Sequence, residues 1–69
     1  MAEKFQLKGD FIELFKLLKL MGLCDSGGAA KQAVSENLVT VNEQIETRKA
    51  YKVRKGARVV FQNKTILVE

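Results

Sequence analysis

Between Phe11 and Met21 only Glu13, Lys16 and Lys19 are polar. Phe11, Leu14, Leu18 and Met21 recur at helical spacing, and Ile12, Phe15, Leu17 and Leu20 widen the stripe around most of the circumference. A helix that is apolar nearly all round has to be covered from more than one side. A chain of 69 residues can do that only once. The pattern therefore predicts one domain over residues 1–69, with this helix at its centre, between a sheet and a second helix. A domain so small buries a modest fraction of its surface. It has no covalent help, because Cys24 is the only cysteine and histidine is absent. A lone cysteine fits a reducing compartment, and a cytoplasmic location is expected.

The flanking residues set the rest of the order. Phe5 and Leu7 alternate with Lys4, Gln6 and Lys8, which predicts a short half-buried strand. Asp10, with Glu13 three residues on, forms a capping-box pattern, so the first helix is expected from about Phe11 to Met21. Gly22 stands where a left-handed terminal residue belongs. Ser26 is a good N-cap for a second helix ending near Glu36, with Asn37 as its left-handed stop. The small residues Ala29, Ala30, Ala33 and Val34 form its expected buried stripe and allow the two helix axes to approach closely. After Asn37 the period becomes two. Val39 and Val41, then Tyr51 and Val53, then Ala57, Val59 and Phe61, then Ile66 and Val68 form successive apolar faces. Asn42-Glu43, Lys55-Gly56 and Gln62-Asn63-Lys64 supply turns, and Ile45 a short return element. The expected class is α+β: a strand, two packed helices, then a small antiparallel or mixed sheet laid out as a meander.

Catalysis finds little support. Without histidine the commonest general base is missing, Cys24 has no partner pattern, and neither a phosphate loop nor metal-ligand spacing occurs. No catalytic residue, metal or cofactor is expected. No secretory signal is read at the N-terminus, because Glu13, Lys16 and Lys19 interrupt the most apolar segment. The same segment has too few cations for a membrane-surface helix, and no run approaches a membrane span.

Charge is the stronger signal. Residues 1–47 carry five lysines against seven acids, whereas residues 48–69 carry seven cations against Glu69 alone. Such asymmetry suits a polyanionic partner, though a plain solvated basic surface would show it too. Arg48 and Lys49 fall in a loop, Lys52 and Arg54 share the polar face of a strand, and Lys55 follows at the turn. Arg forks two hydrogen bonds onto a phosphate and Lys acts as a mobile point charge; such groups position a nucleic acid without reading its sequence. At Ser26-Gly27-Gly28 a helix tip is stripped of side chains. Its amides suit a phosphate, and the same glycines also suit a tight turn or close packing.

Laid out in this order, the residues resemble the S4 domain, an RNA-binding module, and in particular small stand-alone bacterial S4-like proteins. The likeness runs from about Phe11 to Phe61. It is carried by Leu14-Phe15-Lys16-Leu17-Leu18 with Gly22-Leu23, by Ser26-Gly27-Gly28-Ala29-Ala30-Lys31, and by Glu36-Asn37-Leu38-Val39-Thr40-Val41-Asn42. Val53-Arg54-Lys55-Gly56-Ala57-Arg58-Val59-Val60-Phe61 resembles the closing hairpin, and Glu46-Thr47-Arg48-Lys49 with Lys52 the stand-alone subgroup. The resemblance implies the αL motif, two helices and a curved sheet forming a groove for structured RNA. Carried over, it places Ser26, Gly27, Gly28 and Lys31 at one lip and Arg48, Lys49, Lys52, Arg54 and Lys55 at the other. Two departures stand out: Gly27 where many members have Arg, and Glu43 where Gly often follows the Val-Asn pair. The first leaves more of the phosphate contact to backbone amides; the second puts a negative charge near the groove.

The expectation is a monomeric, cytoplasmic, ribosome-associated protein without enzymatic activity that binds structured RNA such as rRNA or tRNA. The competing reading is a protein-interaction module on the ribosome or an RNA-processing complex, its basic face meeting an acidic protein. Duplex DNA is a weaker partner on this reading, because the second helix has only Lys31 and Gln32 as long polar side chains near its exposed start.

Overall fold

The computed structural model describes residues 2–69 and is an α+β domain. In chain order it contains β1 (Ala2–Phe5), β2 (Ile12–Glu13), α1 (Leu14–Leu20), α2 (Gly27–Ser35), β3 (Val39–Val41), β4 (Gln44–Ile45), β5 (Lys52–Val53), β6 (Arg58–Phe61) and β7 (Lys64–Val68). Five strands form one mixed sheet in the order β1-β7-β6-β3-β4, and β2 and β5 form a separate antiparallel pair. Only the β1–β7 pairing is parallel.

Alternation places the sheet's buried face. Val39 lies opposite Phe61 and Val41 opposite Val59, which in turn faces Ile66. All five are buried, in one cluster with Leu14, Leu17 and Leu18 of α1 and Ala30, Ala33 and Val34 of α2. Two tight hairpins hold this register. Asn42-Glu43 and Gln62-Asn63 each have positive φ at both residues, the conformation that matches the right-handed twist of the flanking strands. Asn42 suits the first by more than its backbone: its Oδ1 accepts the N–H of Arg58, tying that turn to β6 at 2.9 Å.

α2 forms where its local signals put it. Ser26 caps it, accepting the N–H of Ala29 at 3.1 Å. Asn37 turns left-handed just beyond its end, with φ of 64°. Ala29, expected in the buried stripe, is exposed.

The first helix differs from expectation. Asp10 does not cap it. Glu13 is extended and makes no side-chain cap, and the helix begins at Leu14. The segment expected to open it, Ile12–Glu13, is a strand paired with β5, Ile12 opposite Val53 and Glu13 opposite Lys52. The reason is tertiary. The leading N–H groups of α1 need acceptors; the carbonyl of Tyr51 takes Leu14 N–H at 2.9 Å and that of Lys49 takes Phe15 N–H at 3.1 Å. A backbone partner from the distant basic segment displaces the local capping box. The same exchange removes β5 from the expected meander. The helix is also less enclosed than its stripe suggests: Leu14 is fully buried, but Leu20 is 66% exposed and Phe11 39%.

That contrast sets a stability test. Leu14→Ala should cost about 2–5 kcal/mol through lost burial and the cavity left behind, a large share of a small domain's stability. Leu20→Ala should stay within about 0.5 kcal/mol. Urea unfolding followed by circular dichroism checks both.

Candidate functional site

The segment from Thr47 to Ala57 is anchored at both ends and leaves its cations outside. The α1 amides hold Lys49 and Tyr51 by their carbonyls. Val53 is fully buried and pins β5 against β2. Gly56, with φ of 93°, donates its N–H to the carbonyl of Val68 at 2.8 Å, and the Ala57 carbonyl accepts from Val68 N–H at 3.0 Å. A side chain at position 56 would meet no neighbouring atom, so glycine serves the left-handed turn rather than the space.

Along this segment runs an open cavity of about 1000 Å³, lined by Arg48, Lys49, Lys52, Arg54 and Lys55. Thr47, Ala50, Tyr51, Gly56 and Ala57 complete that wall, and Ser35 and Asn42 contribute from the end of α2 and the β3–β4 turn. The structure thus brings together all five cations expected at one lip. It does not join them to the other set: Ser26, Gly27, Gly28 and Lys31 are absent from the lining, and the α2 residue at the cavity is Ser35. The α2 tip stands instead beside Phe15. The Lys31 ammonium lies 4.8 Å from the Phe15 ring centroid, and a Cβ added at Gly27 would touch that ring at 3.9 Å. At Gly28 an added Cβ would meet only the Ser26 hydroxyl, also at 3.9 Å. Both are ordinary contacts, so close packing is not what requires glycine at either position.

The cations differ in what holds them. Glu46 clamps Arg48. Its carboxylate accepts the backbone N–H at 3.1 Å, Nε–H at 2.9 Å and a terminal N–H at 3.2 Å. The bond from the Arg48 guanidinium holds the Glu46 carboxyl below the ordinary carboxylate range, and the pairing raises the Arg48 pKa in turn. Glu13, although opposite Lys52 in the strand pair, turns its carboxylate to Lys16 at 3.0 Å. Glu43 is engaged by Arg58 and lies outside the cavity lining, so the negative charge expected to weaken the groove is neutralised elsewhere. Among the described residues Lys49, Lys52, Arg54 and Lys55 have no carboxylate partner. Four formal positive charges in one concavity focus the field there.

Aromatic rings underlie three of the five groove cations, although periodicity assigned those rings to the core. Lys52 Nζ lies 5.0 Å and Arg54 Cζ 5.8 Å from the Phe11 ring centroid, and Arg48 Cζ lies 5.2 Å from that of Tyr51. Attraction between a cation and a ring face orders long side chains at little cost. The available signal was Phe11 itself, an aromatic placed directly after a Gly-Asp turn. Cys24 shows no activation: burial, and then the nearby Asp25, push its thiol pKa up, which favours the unreactive protonated form.

Two helices packed on a mixed β-sheet are the architecture of the S4 domain class. The sequence profile of the S4 domain matches residues 5–69, and the chain belongs to that family. It is similar to the protein of Escherichia coli K12 named "Putative RNA-binding protein YbcJ", 41% identical over 61 residues that cover 88% of this chain and 87% of that protein. YbcJ of Shigella flexneri matches equally, at 41% over the same length and shares. The solution structure of Escherichia coli YbcJ, described as revealing an αL motif involved in RNA-binding, superposes with a TM-score of 0.73 at 41% identity, over 94% of this chain and 84% of that one.

The Glu46–Arg48 clamp has a pH signature. Because the folded-state pKa of Glu46 is depressed, its pairing contributes stability above the ordinary carboxylate range and loses it as pH falls through the depressed value. In a carboxyl-carbon NMR titration Glu46 should have its midpoint below the ordinary glutamate value of about 4.3. Arg48→Ala should return it toward that value.

Proposed function

We propose that this chain is a non-enzymatic RNA-binding protein that seats structured RNA, such as rRNA or tRNA, in the basic groove. The observation that carries the reading is the convergence of Lys49, Lys52, Arg54 and Lys55, without carboxylate partners among the described residues, on one concave wall with the Glu46-paired Arg48. The family and the RNA-binding named for YbcJ support the choice of polyanion. Phosphate contacts of this kind fix orientation and read no sequence, so the RNA is selected mainly by shape, as helical RNA usually is. Ser26, Gly27, Gly28 and Lys31, set apart beside Phe15, form a second contact for a strand that runs past the groove. Among the described residues no helix is long and apolar enough to cross a membrane. On this reading the protein works as a monomer in the cytoplasm, at the ribosome or on RNA bound for it.

Neutralising about four to six phosphates should give a log–log dependence of affinity on salt with a slope of roughly −3 to −5. The triple variant Lys49→Ala, Lys52→Ala, Lys55→Ala should keep its circular dichroism spectrum and shorten that slope by roughly two to three. Fluorescence anisotropy with a labelled RNA hairpin measures both. Affinity that ignores salt, or a triple variant that binds unchanged, would contradict the reading. Proteins retained in a pull-down after ribonuclease treatment, with no affinity for RNA, would favour an acidic protein partner instead.

A further inference from the structure

Burial does not account for Phe11, whose ring carries Lys52 and Arg54 from an exposed position. Of the chain's five aromatic side chains, Phe61 is in the core and Phe5, Phe15 and Tyr51 are partly buried against it; Phe11 alone is exposed. The residue stays 39% exposed, which forgoes part of the gain that burying a phenyl group would bring. Yet its place is well defined. It immediately precedes β2, whose pairing with β5 sets Ile12 opposite Val53 and Glu13 opposite Lys52. That register brings the ring to 5.0 Å from Lys52 Nζ and 5.8 Å from Arg54 Cζ, two of the cations lining the groove; Phe11 is not itself a lining residue and meets the groove through them.

A phosphate held by Lys52 or Arg54 therefore has an apolar, partly open ring beside it. Within an uninterrupted A-form helix the bases are stacked on one another and cannot reach such a ring. Bases of bulges, loops and ends can be splayed out onto aromatic side chains, and stacking tolerates any base because every base has a π-face. We propose that Phe11 is the stacking platform for one unpaired nucleobase. The groove then prefers RNA with a bulged or looped-out nucleotide beside a helical segment over a continuous duplex. The inference rests on the RNA-binding reading above and adds to it the kind of RNA selected.

The test uses the full chain and two RNA hairpins: one with a fully paired stem, the other with the same stem and a single bulged 2-aminopurine. Stacking on an aromatic side chain is worth about 1–3 kcal/mol per base, so wild-type protein should bind the bulged hairpin roughly 5–150-fold more tightly and quench its fluorescence. Phe11→Ala should lose the preference and the quenching, its loss of affinity for the bulged hairpin exceeding any loss on the paired stem, and Phe11→Tyr should retain preference, quenching and affinity. Equal affinity of the wild type for the two hairpins with no quenching would overturn the inference while leaving RNA binding intact. So would an equal loss on both hairpins in Phe11→Ala, which would make the ring merely a rest for Lys52 and Arg54. Wild-type protein that binds neither hairpin would overturn the RNA-binding reading itself, and this inference with it.

Discussion

Two backbone hydrogen bonds organise this molecule: Leu14 N–H to the Tyr51 carbonyl and Phe15 N–H to the Lys49 carbonyl. They meet two needs together. A short helix has free amides at its start that require acceptors, and a loop rich in like charges needs an anchor against its own repulsion. Each bond is worth only about 0.5–1.5 kcal/mol net. Their consequence is larger than their energy, because they set the register in which β2 meets β5. With that pairing made, Val53 enters the core and Lys52 and Arg54 are left facing the groove.

The electrostatics follow from the same geometry. Of the eight acidic residues, Glu13, Glu43, Glu46 and Glu69 engage cations. Only Glu46 pairs with a groove residue, Arg48. Of the remaining groove cations, Lys52 and Arg54 have an aromatic ring, rather than a carboxylate, to rest on. An ion pair would have ordered them equally well at the expense of the positive potential. The fold is shared with YbcJ; what the groove does depends on these side chains and not on the fold alone.

Much of the fold was legible because its signals are local. Ser26 and Asn37 at the ends of α2, Gly22 after α1 and the Asn-containing hairpin turns all act within a few residues of themselves. The start of α1 was not legible. Asp10 and Glu13 match a capping box, but the acceptors that win come from Lys49 and Tyr51, which no local pattern names. For the same reason β5 read as one more strand of a meander. Hydrophobic periodicity also ranked Leu14, Leu20 and Phe11 alike, although a short helix leaves the ends of its stripe uncovered. At the site, the basic segment was plain from its charge. Its separation from Ser26, Gly27, Gly28 and Lys31 was not, because it depends on which end of α2 the segment meets. The clamp of Glu46 on Arg48 was equally hidden, since spacing of two residues in a loop does not disclose side-chain geometry.

The most direct measurement of the central claim is the change in backbone amide NMR shifts as a structured RNA hairpin is added. If the anchored basic segment is the binding surface, the largest changes fall on Thr47–Ala57 and on the neighbouring Phe11–Phe15. The edge strand β1 (Ala2–Phe5), which carries neither a groove residue nor the α2 tip, changes least. Largest changes on β1, or changes spread evenly over the chain, would contradict the account.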